Sequence, residues 1–387
     1  MVVDMTMKNI TYFDNAATTY PKPQCVISAM NSCMKNYCAN PGRSGHRLAI
    51  LSEEAVYQAR RRITDFFHGK NPLKTVFVKN ATEGLNMVIG TLAAMKGHVI
   101  YTSYEHNSVI RPIWRYSQSG DLSYDICLPD VTGCIDPRDI ESLIRKDTLA
   151  VIVSLASNIT GYILPIKEIG RICKEHRLFF IVDVSQGAGT IQPDMIENDI
   201  HVIVGTGHKD LYGPQGTGFV CAEGFELIPI LYGGTGTESM SPNPANVSPD
   251  ILEAGTQNLP GIVGLAQGAA FIEELGAIKI QKHKKALIKR MSDGLKSIKG
   301  ITSYIPEDNC GIVAFDVTGL DSQETVHLLS TQYGICARGG FHCSPNLHRY
   351  LKTDQTGLIR FSFGIFNKIK EVDHSLNALE FIAKRLV

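Results

Sequence analysis

Asp183 closes an otherwise apolar run, Phe179–Val184, and Lys209 closes the segment Thr206-Gly207-His208-Lys209 that follows a second such run. If both runs are strands of an open α/β sheet, both side chains stand at carboxyl ends of strands, where such sheets bind ligands. A carboxylate there costs free energy unless it has a partner. By itself Asp183 reads equally well as a turn or capping residue, because Ser185 and Gln186 follow it. A lysine in a Gly-rich loop can form a Schiff base, although most lysines are surface residues. Together the two residues carry more weight than either alone. A carboxylate that keeps a pyridinium nitrogen protonated, beside a lysine that holds an aldehyde, is the arrangement that pyridoxal 5'-phosphate requires.

Two further segments suit that cofactor. Asn80-Ala81-Thr82-Glu83-Gly84 joins an expected strand to a helix N-terminus, where free backbone N–H groups and the helix dipole favour a phosphate. Thr82 adds a hydroxyl, and a simple Thr N-cap without a ligand is the plainer reading of this segment in isolation. Tyr104-Glu105-His106-Asn107 follows another expected strand. His106 there could stack on an aromatic cofactor or be an ordinary satisfied core histidine.

The elements that must position these residues follow from hydrophobic periodicity. Strands are expected at Thr75–Val78, His98–Thr102, Ala150–Ser154, Phe179–Val184 and His201–Val204, with helices at Glu83–Met95 and Ile166–His176. Only a short Gly/Pro-rich segment separates Val204 from Phe219. A parallel crossover needs a dozen or more residues, usually with a helix, so Thr217–Ala222 is expected to pair antiparallel. Further on, helices are expected at Ile262–Leu275, Gln281–Ile298, Ser322–Gln332 and Glu371–Val387, and strands at Gly311–Val317 and Leu358–Ser362. The expected fold class is α/β, with a mostly parallel central sheet containing a reversed strand. Residues 16–257 form the large domain, and residues 1–15 and 258–387 a smaller α+β domain.

Composition narrows the function classes. Lysine plus arginine and aspartate plus glutamate balance at 38 each, which gives no support to nucleic-acid or membrane-surface binding. Met1–Ile10 lacks a basic region followed by an apolar one, and no apolar run reaches the roughly 20 residues of a membrane span, so the chain reads as cytoplasmic. The 10 cysteines show no CxxC and no metal-type spacing. No metal is expected, and apart from Cys343 the cysteines are expected to be buried small hydrophobes. A nucleotide-binding oxidoreductase is set aside, because no GxGxxG follows a first strand.

Eight segments occur in the order seen in class V aminotransferases: YFDNAATT (Tyr12–Thr19), NATEGLN, Glu105-His106, Ser157-Asn158, VDVSQ (Val182–Gln186), GTGHK, EAGTQN (Glu253–Asn258) and RGGFHC (Arg338–Cys343). The chain most resembles the cysteine desulfurase and selenocysteine lyase family, over nearly its whole length. The resemblance implies the fold type I architecture of pyridoxal-phosphate-dependent transferases. It implies that Lys209 carries the cofactor and moves protons, that Asp183 pairs with the pyridine nitrogen, that Gln186 bonds the ring hydroxyl oxygen and that His106 stacks on the ring. Thr82, Thr206 and His208, with the backbone near Ala81, would hold the phosphate. Asn158 would lie near substrate and ring, and Arg360, with Arg338 nearby, would bind the carboxylate of L-cysteine or a related amino acid. Thr256 would reach the phosphate in the neighbouring subunit of a homodimer.

The same resemblance makes Cys343 the sulfur-accepting nucleophile, which becomes a persulfide as alanine leaves. A thiol beside an arginine and a histidine can have a lowered pKa, and the thiolate is the reactive form. The short cysteine loop resembles the second subgroup of the family, whose flank reads R-x-G-H-H-C, but Phe341 stands where that subgroup has its first histidine. A short loop implies that any protein sulfur acceptor must come to the site. A selenocysteine lyase or another C–S or C–Se lyase, a transaminase, and a catalytically retired binding subunit are the competing readings.

Overall fold

Segments such as TLAVIVS and FFIVD carry no polar face, as befits strands covered by helices on both sides. The computed structural model describes residues 10–42, 44–235, 240–242 and 247–384. The reading of Met1–Ile10 therefore lies outside the described residues except at Ile10, as do the last three residues of the expected C-terminal helix. In chain order, β1 (Thr11–Tyr12), α1 (Gln24–Asn36) and α2 (Arg47–Phe66) come first. Next are β2 (Thr75–Val78), α3 (Ala81–Met95), β3 (Gly97–Thr102), α4 (Asn107–Gln118), β4 (Leu122–Cys127) and α5 (Pro137–Ser142). Then follow β5 (Thr148–Ser154), α6 (Ile166–Glu175), β6 (Phe179–Asp183), β7 (Val202–Thr206) and β8 (Gly218–Ala222). The remainder comprises α7 (Leu259–Leu275), α8 (Ala277–Leu295), β9 (Ile301–Tyr304), β10 (Ile312–Val317), α9 (Ser322–Tyr333), β11 (Ile335–Cys336), α10 (Pro345–Leu351), β12 (Ile359–Ser362) and α11 (Ile369–Lys384).

The large sheet has the order β2-β8-β7-β6-β5-β3-β4. Its pairs are parallel except those made by β8, which runs antiparallel to both β7 and β2. This is the expected mostly parallel sheet with a reversed strand, and the connection from β7 to β8 is too short for a crossover. On one face, α3 packs Leu85, Val88, Ile89 and Leu92 against Val204 and Val220. Burial of each of these side chains contributes about 2 kcal/mol. Gly84 lets the N-terminal turn of α3 come this close, because a Cβ there would stand 2.8 Å from side-chain atoms of both Val204 and Val220.

A three-stranded antiparallel sheet, β12-β10-β9, and a parallel pair, β1-β11, make up the second layer system. Phe13, Phe315, Phe361 and Phe363 pack there with Leu287 and Met291 of α8 and Leu379 of α11. Helix α7, which the sequence reading assigns to the smaller domain, packs Leu259, Ile262, Leu265 and Ile272 into the core that also holds Phe180 and Phe219 of the large sheet.

Cys33, Cys127, Cys173, Cys221 and Cys310 are buried as expected. Cys38 and Cys134 are exposed, and Cys25 and Cys336 are half-buried, so the expectation of burial fails for these four. Among the described residues no His/Cys/Asp/Glu group could hold a metal, and no single helix is long and apolar enough to cross a membrane.

Candidate active site

Three neighbouring strands end at one cleft. Ser154 ends β5, Asp183 ends β6 and Thr206 ends β7, with Ser154 and Asp183 as register partners. Ala81 at the first turn of α3 and His106 at the start of α4 also line it. The cleft is open to solvent and, that solvent included, encloses about 530 Å³ of space free of protein atoms. Its wall brings together Lys209, Asp183, Gln186, His106, Ala81, Thr82, Asn158, Thr206 and His208. Asn80, Ser108, Ser154, Ala156 and Ser185 complete the wall, and the sequence reading gave none of these a role.

Asp183 is only 5 % exposed. Its Oδ1 accepts the Ser185 N–H (2.9 Å), so the capping bond of the plainer reading is present too. Burial pushes its pKa up, against bonding from Ser185 and the charge of Lys209. For Lys209 the direction is down. Burial dominates, the positive charges of Arg360 and Arg338 add to it, and Asp183 and Asp210 oppose it. A neutral amine is the form of lysine that can attack a carbonyl.

The cap of α3 is Asn80, not Thr82: Asn80 Oδ1 accepts the Glu83 N–H (3.0 Å). The Thr82 hydroxyl is therefore not needed as the cap, and Ala81 and Thr82 line the cleft. Thr206 and His208 stand opposite, at the end of β7. The His208 carbonyl is clamped by the Thr19 N–H (3.0 Å), the Thr18 Oγ1 (3.1 Å) and Lys22 Nζ (2.7 Å). His208 Nδ1 and Ser185 Oγ are buried without a protein partner. Buried polar atoms are normally bonded, so His208 Nδ1 is free to bond a polar group in the cleft, whereas Ser185 Oγ has Asp183 beside it.

His106 caps α4. Its Nδ1 accepts the Ser108 N–H (3.1 Å) and lies 2.8 Å from Ser108 Oγ. Burial, then the charge of Lys209, lowers its pKa to about 4. The ring is thus neutral near pH 7, and with Nδ1 accepting, its proton sits on Nε2. Behind it, the fully buried Glu105 accepts from Thr102 Oγ1 (2.7 Å), Ser154 N–H (3.0 Å) and Ser154 Oγ (2.7 Å). Burial pushes the Glu105 pKa up to about 7.

Asn158 joins the cleft to the second sheet. Its Nδ2 donates to the His342 carbonyl (2.6 Å), its Oδ1 accepts from Ser344 Oγ (2.7 Å), and its carbonyl accepts from Arg360 Nη1 (2.9 Å). Arg360 is 1 % exposed. Its Nη2 pairs with Asp14 Oδ1 (2.9 Å), and its Nε has no protein partner. Arg338 and Arg360 are backbone neighbours: Arg360 N–H donates to the Arg338 carbonyl (2.8 Å). The contribution of Asp14 was hidden inside the YFDNAATT string, because only the fold brings it to Arg360.

Cys343 lies beside the cleft and is half-buried; it is not part of the wall. Its carbonyl accepts the N–H of Asn107, the residue after His106 (2.8 Å). His342 and Cys343 both have left-handed backbone, φ +47 and +61, a conformation that side chains other than glycine adopt at a cost. His342 is buried, donates its Nε2–H to the Leu358 carbonyl (3.0 Å), and has its pKa lowered by burial and then by Arg360. It is therefore neutral near pH 7. Phe341 is 48 % exposed and meets His348 edge-on at 5.5 Å. Thr256 is exposed and is not in the cleft wall of its own chain.

The family model for aminotransferase class-V matches residues 11–374. A probable cysteine desulfurase of Methanothermobacter thermautotrophicus is 31% identical, over 97% of this chain and 96% of its own length. One of Pyrococcus abyssi is 32% identical, over 98% and 96%. The apo structure of a cysteine desulfurase from Thermococcus onnurineus NA1 superposes with a TM-score of 0.91 at 31% identity, covering 97% of this chain and 95% of that one.

Proposed function

Because the chain belongs to the aminotransferase class-V family, we propose that it is a pyridoxal-phosphate-dependent cysteine desulfurase that releases alanine from L-cysteine and keeps the sulfur on Cys343. The observation that carries this reading is the placement of a thiol loop beside a cleft walled by Asp183 and Lys209, with Asn158 bonded both to that loop and to Arg360. The cysteine desulfurase relatives at 31% and 32% identity support the choice of reaction.

The residues present fit the cofactor. The unpartnered His208 Nδ1, the Thr82 hydroxyl and the N-terminus of α3 at Ala81 and Thr82 suit a phosphate ester, and Thr206, whose O–H is donated to the Thr217 carbonyl (3.2 Å), could offer it only by turning that hydroxyl. Asp183 would hold the pyridine nitrogen, Gln186 the ring hydroxyl oxygen, His106 the ring face and Lys209 the aldehyde carbon. Bound there, the pyridoxal ring supplies a sink for the electron pair left when a Cα–H bond of the substrate breaks.

The chain's own residues do the rest. Arg360 fixes the substrate carboxylate, using N–H groups left over from Asn158 and Asp14. The Lys209 amine, its pKa lowered by burial, takes the Cα proton. Cys343 thiolate attacks the substrate sulfur: an S–S bond forms, the substrate Cβ–S bond breaks, and the electron pair stays with carbon. Cβ takes up one proton and Cα regains the one given to Lys209, so alanine leaves, with carbon reduced and sulfur oxidised to a Cys343 persulfide. Helix α10 starts at Pro345, two residues past Cys343, so the loop is tethered close behind the thiol. An acceptor thiol must therefore reach the cleft to remove the sulfur. Thr256 completes the phosphate site of a second copy in a homodimer.

The test is alanine release from L-cysteine by the cofactor-loaded protein beside Cys343→Ala. Release by the first and not the second supports the reading. Equal release by both overturns the role of Cys343. Release by neither, with both proteins still holding cofactor, overturns L-cysteine as the substrate.

A further inference from the structure

The residue after Lys209 is a carboxylate, Asp210, which the chemistry above does not use. It is 8 % exposed. Its Oδ2 accepts the N–H of Gly187 (2.5 Å), the residue after Gln186. Its Oδ1 accepts from Lys284 Nζ (2.9 Å), and the same Nζ donates to Thr190 Oγ1 (2.8 Å). Lys284 lies on α8, whose other lysines, Lys279, Lys282, Lys285 and Lys289, are all exposed. Lys284 alone among them is turned inward, to 3 % exposure. The backbone makes room for it. Gly311 has φ +124, and a Cβ there would stand 2.8 Å from Lys284 Cδ.

A buried ion pair is a poor source of stability, since apolar residues of similar size do as well or better. This one occupies a particular place: it ties the loop after β6, the loop of Lys209 and helix α8 together at a single carboxylate. It also changes the charge seen by Lys209. The groups that act on Lys209 are Asp183 of β6, Arg360 of β12, Arg338, the adjacent Asp210, and the neutral rings of His106 and His208. Those that act on Lys284 are Asp210, Tyr212 and Cys310. Burial, the largest single effect, works to lower the Lys284 pKa, and Asp210 together with Tyr212 and Cys310 outweighs it, so the ammonium stays charged. Without that ammonium, the charge of Asp210 would add to that of Asp183 and hold Lys209 protonated.

We propose that Lys284 is a positioning residue for Lys209: it compensates the charge of Asp210 and fixes the Lys209 loop against α8, so that the Lys209 amine is available as a neutral nucleophile. The proposal rests on the assignment of Lys209 as the reactive lysine, but its test needs no turnover. The cofactor-free full-length protein is labelled competitively with acetic anhydride across a pH series, and acetylation at Lys209 is read by mass spectrometry. Lys284→Met is expected to move the Lys209 midpoint up by about one pH unit, the effect of one uncompensated charge about 12 Å away at an effective dielectric near 20. Lys284→Arg should keep the wild-type midpoint. The double variant Lys284→Met/Asp210→Asn, which removes both charges, should bring it back. If Lys284→Met fails to fold, Asp210→Asn alone serves, and should move the midpoint down. A midpoint unchanged in the single variants, or one that the double variant does not restore, overturns the proposal. Failure of the desulfurase reading would show separately, as a wild-type protein that binds pyridoxal phosphate but releases no alanine.

Discussion

Replacing Arg360 with lysine keeps a positive charge and removes the planar fork. In the structure Nη1 is committed to the Asn158 carbonyl and Nη2 to Asp14, each at 2.9 Å, leaving Nε and one hydrogen on each Nη. A carboxylate that accepts two of these gains about 1.5–3 kcal/mol from each charge-assisted bond. A lysine ammonium is a single point donor group and cannot serve Asn158, Asp14 and a bidentate carboxylate at once. Loss of one such bond, about 2 kcal/mol, corresponds to a rise of about 30-fold in KM at 1.36 kcal/mol per tenfold. Cofactor content should be unchanged, because Arg360 is not in the wall that holds the phosphate and ring. The assay is steady-state alanine formation against L-cysteine concentration, with cofactor content read by absorbance. A KM within twofold of wild type would refute carboxylate binding by Arg360, and so would a loss confined to kcat.

Three further outcomes are expected. Arg60→Met should cost about 3–5 kcal/mol of stability in denaturant unfolding, because it strands Glu253 in a pair whose side chains are 5 % and 3 % exposed; a loss under about 1 kcal/mol contradicts this. The pKa of Glu105 is raised on folding from 4.5 to about 7. The folded state thus holds a proton that the unfolded state releases, and stability falls as pH rises through that window. Glu105→Gln should remove the penalty, gaining up to about 3 kcal/mol on wild type between pH 4.5 and pH 8. An equal difference between variant and wild type at both pH values would sink it. Finally, light scattering should show a dimer, and Thr256→Ala should weaken pyridoxal-phosphate retention; a monomer that retains cofactor fully would exclude a role for Thr256 across subunits.

The α/β sheet was legible because its strands are long uninterrupted apolar runs, and the reversal of β8 followed from loop length alone. Helices α1, α2, α4, α5 and α10 were not read, nor were strands β1, β4, β9 and β11. Helix α2 exposes Leu48, Ile50 and Leu51 as well as burying Val56 and Ile63, which blurs its periodicity, and α4 contains Pro112. At the cleft, Asp183, Lys209 and the α3 terminus could be argued locally, because each sits at the end of a recognisable element. The pairing of Asp14 with Arg360 and of Asp210 with Lys284 could not, since each joins segments far apart in the chain. The neutral state of His342 was equally invisible, because it depends on burial and on the charge of Arg360, which the fold brings near.

The claim on which the rest depends is that substrate sulfur comes to rest on Cys343. The direct measurement is the mass of the peptide containing Cys343 after a single turnover of L-cysteine by the cofactor-loaded protein, without an acceptor. The expected result is one added sulfur atom on that peptide, removed by a thiol reductant, with one alanine released per site. Alanine released with no sulfur on Cys343, or sulfur found instead on the exposed Cys38 or Cys134, would contradict it.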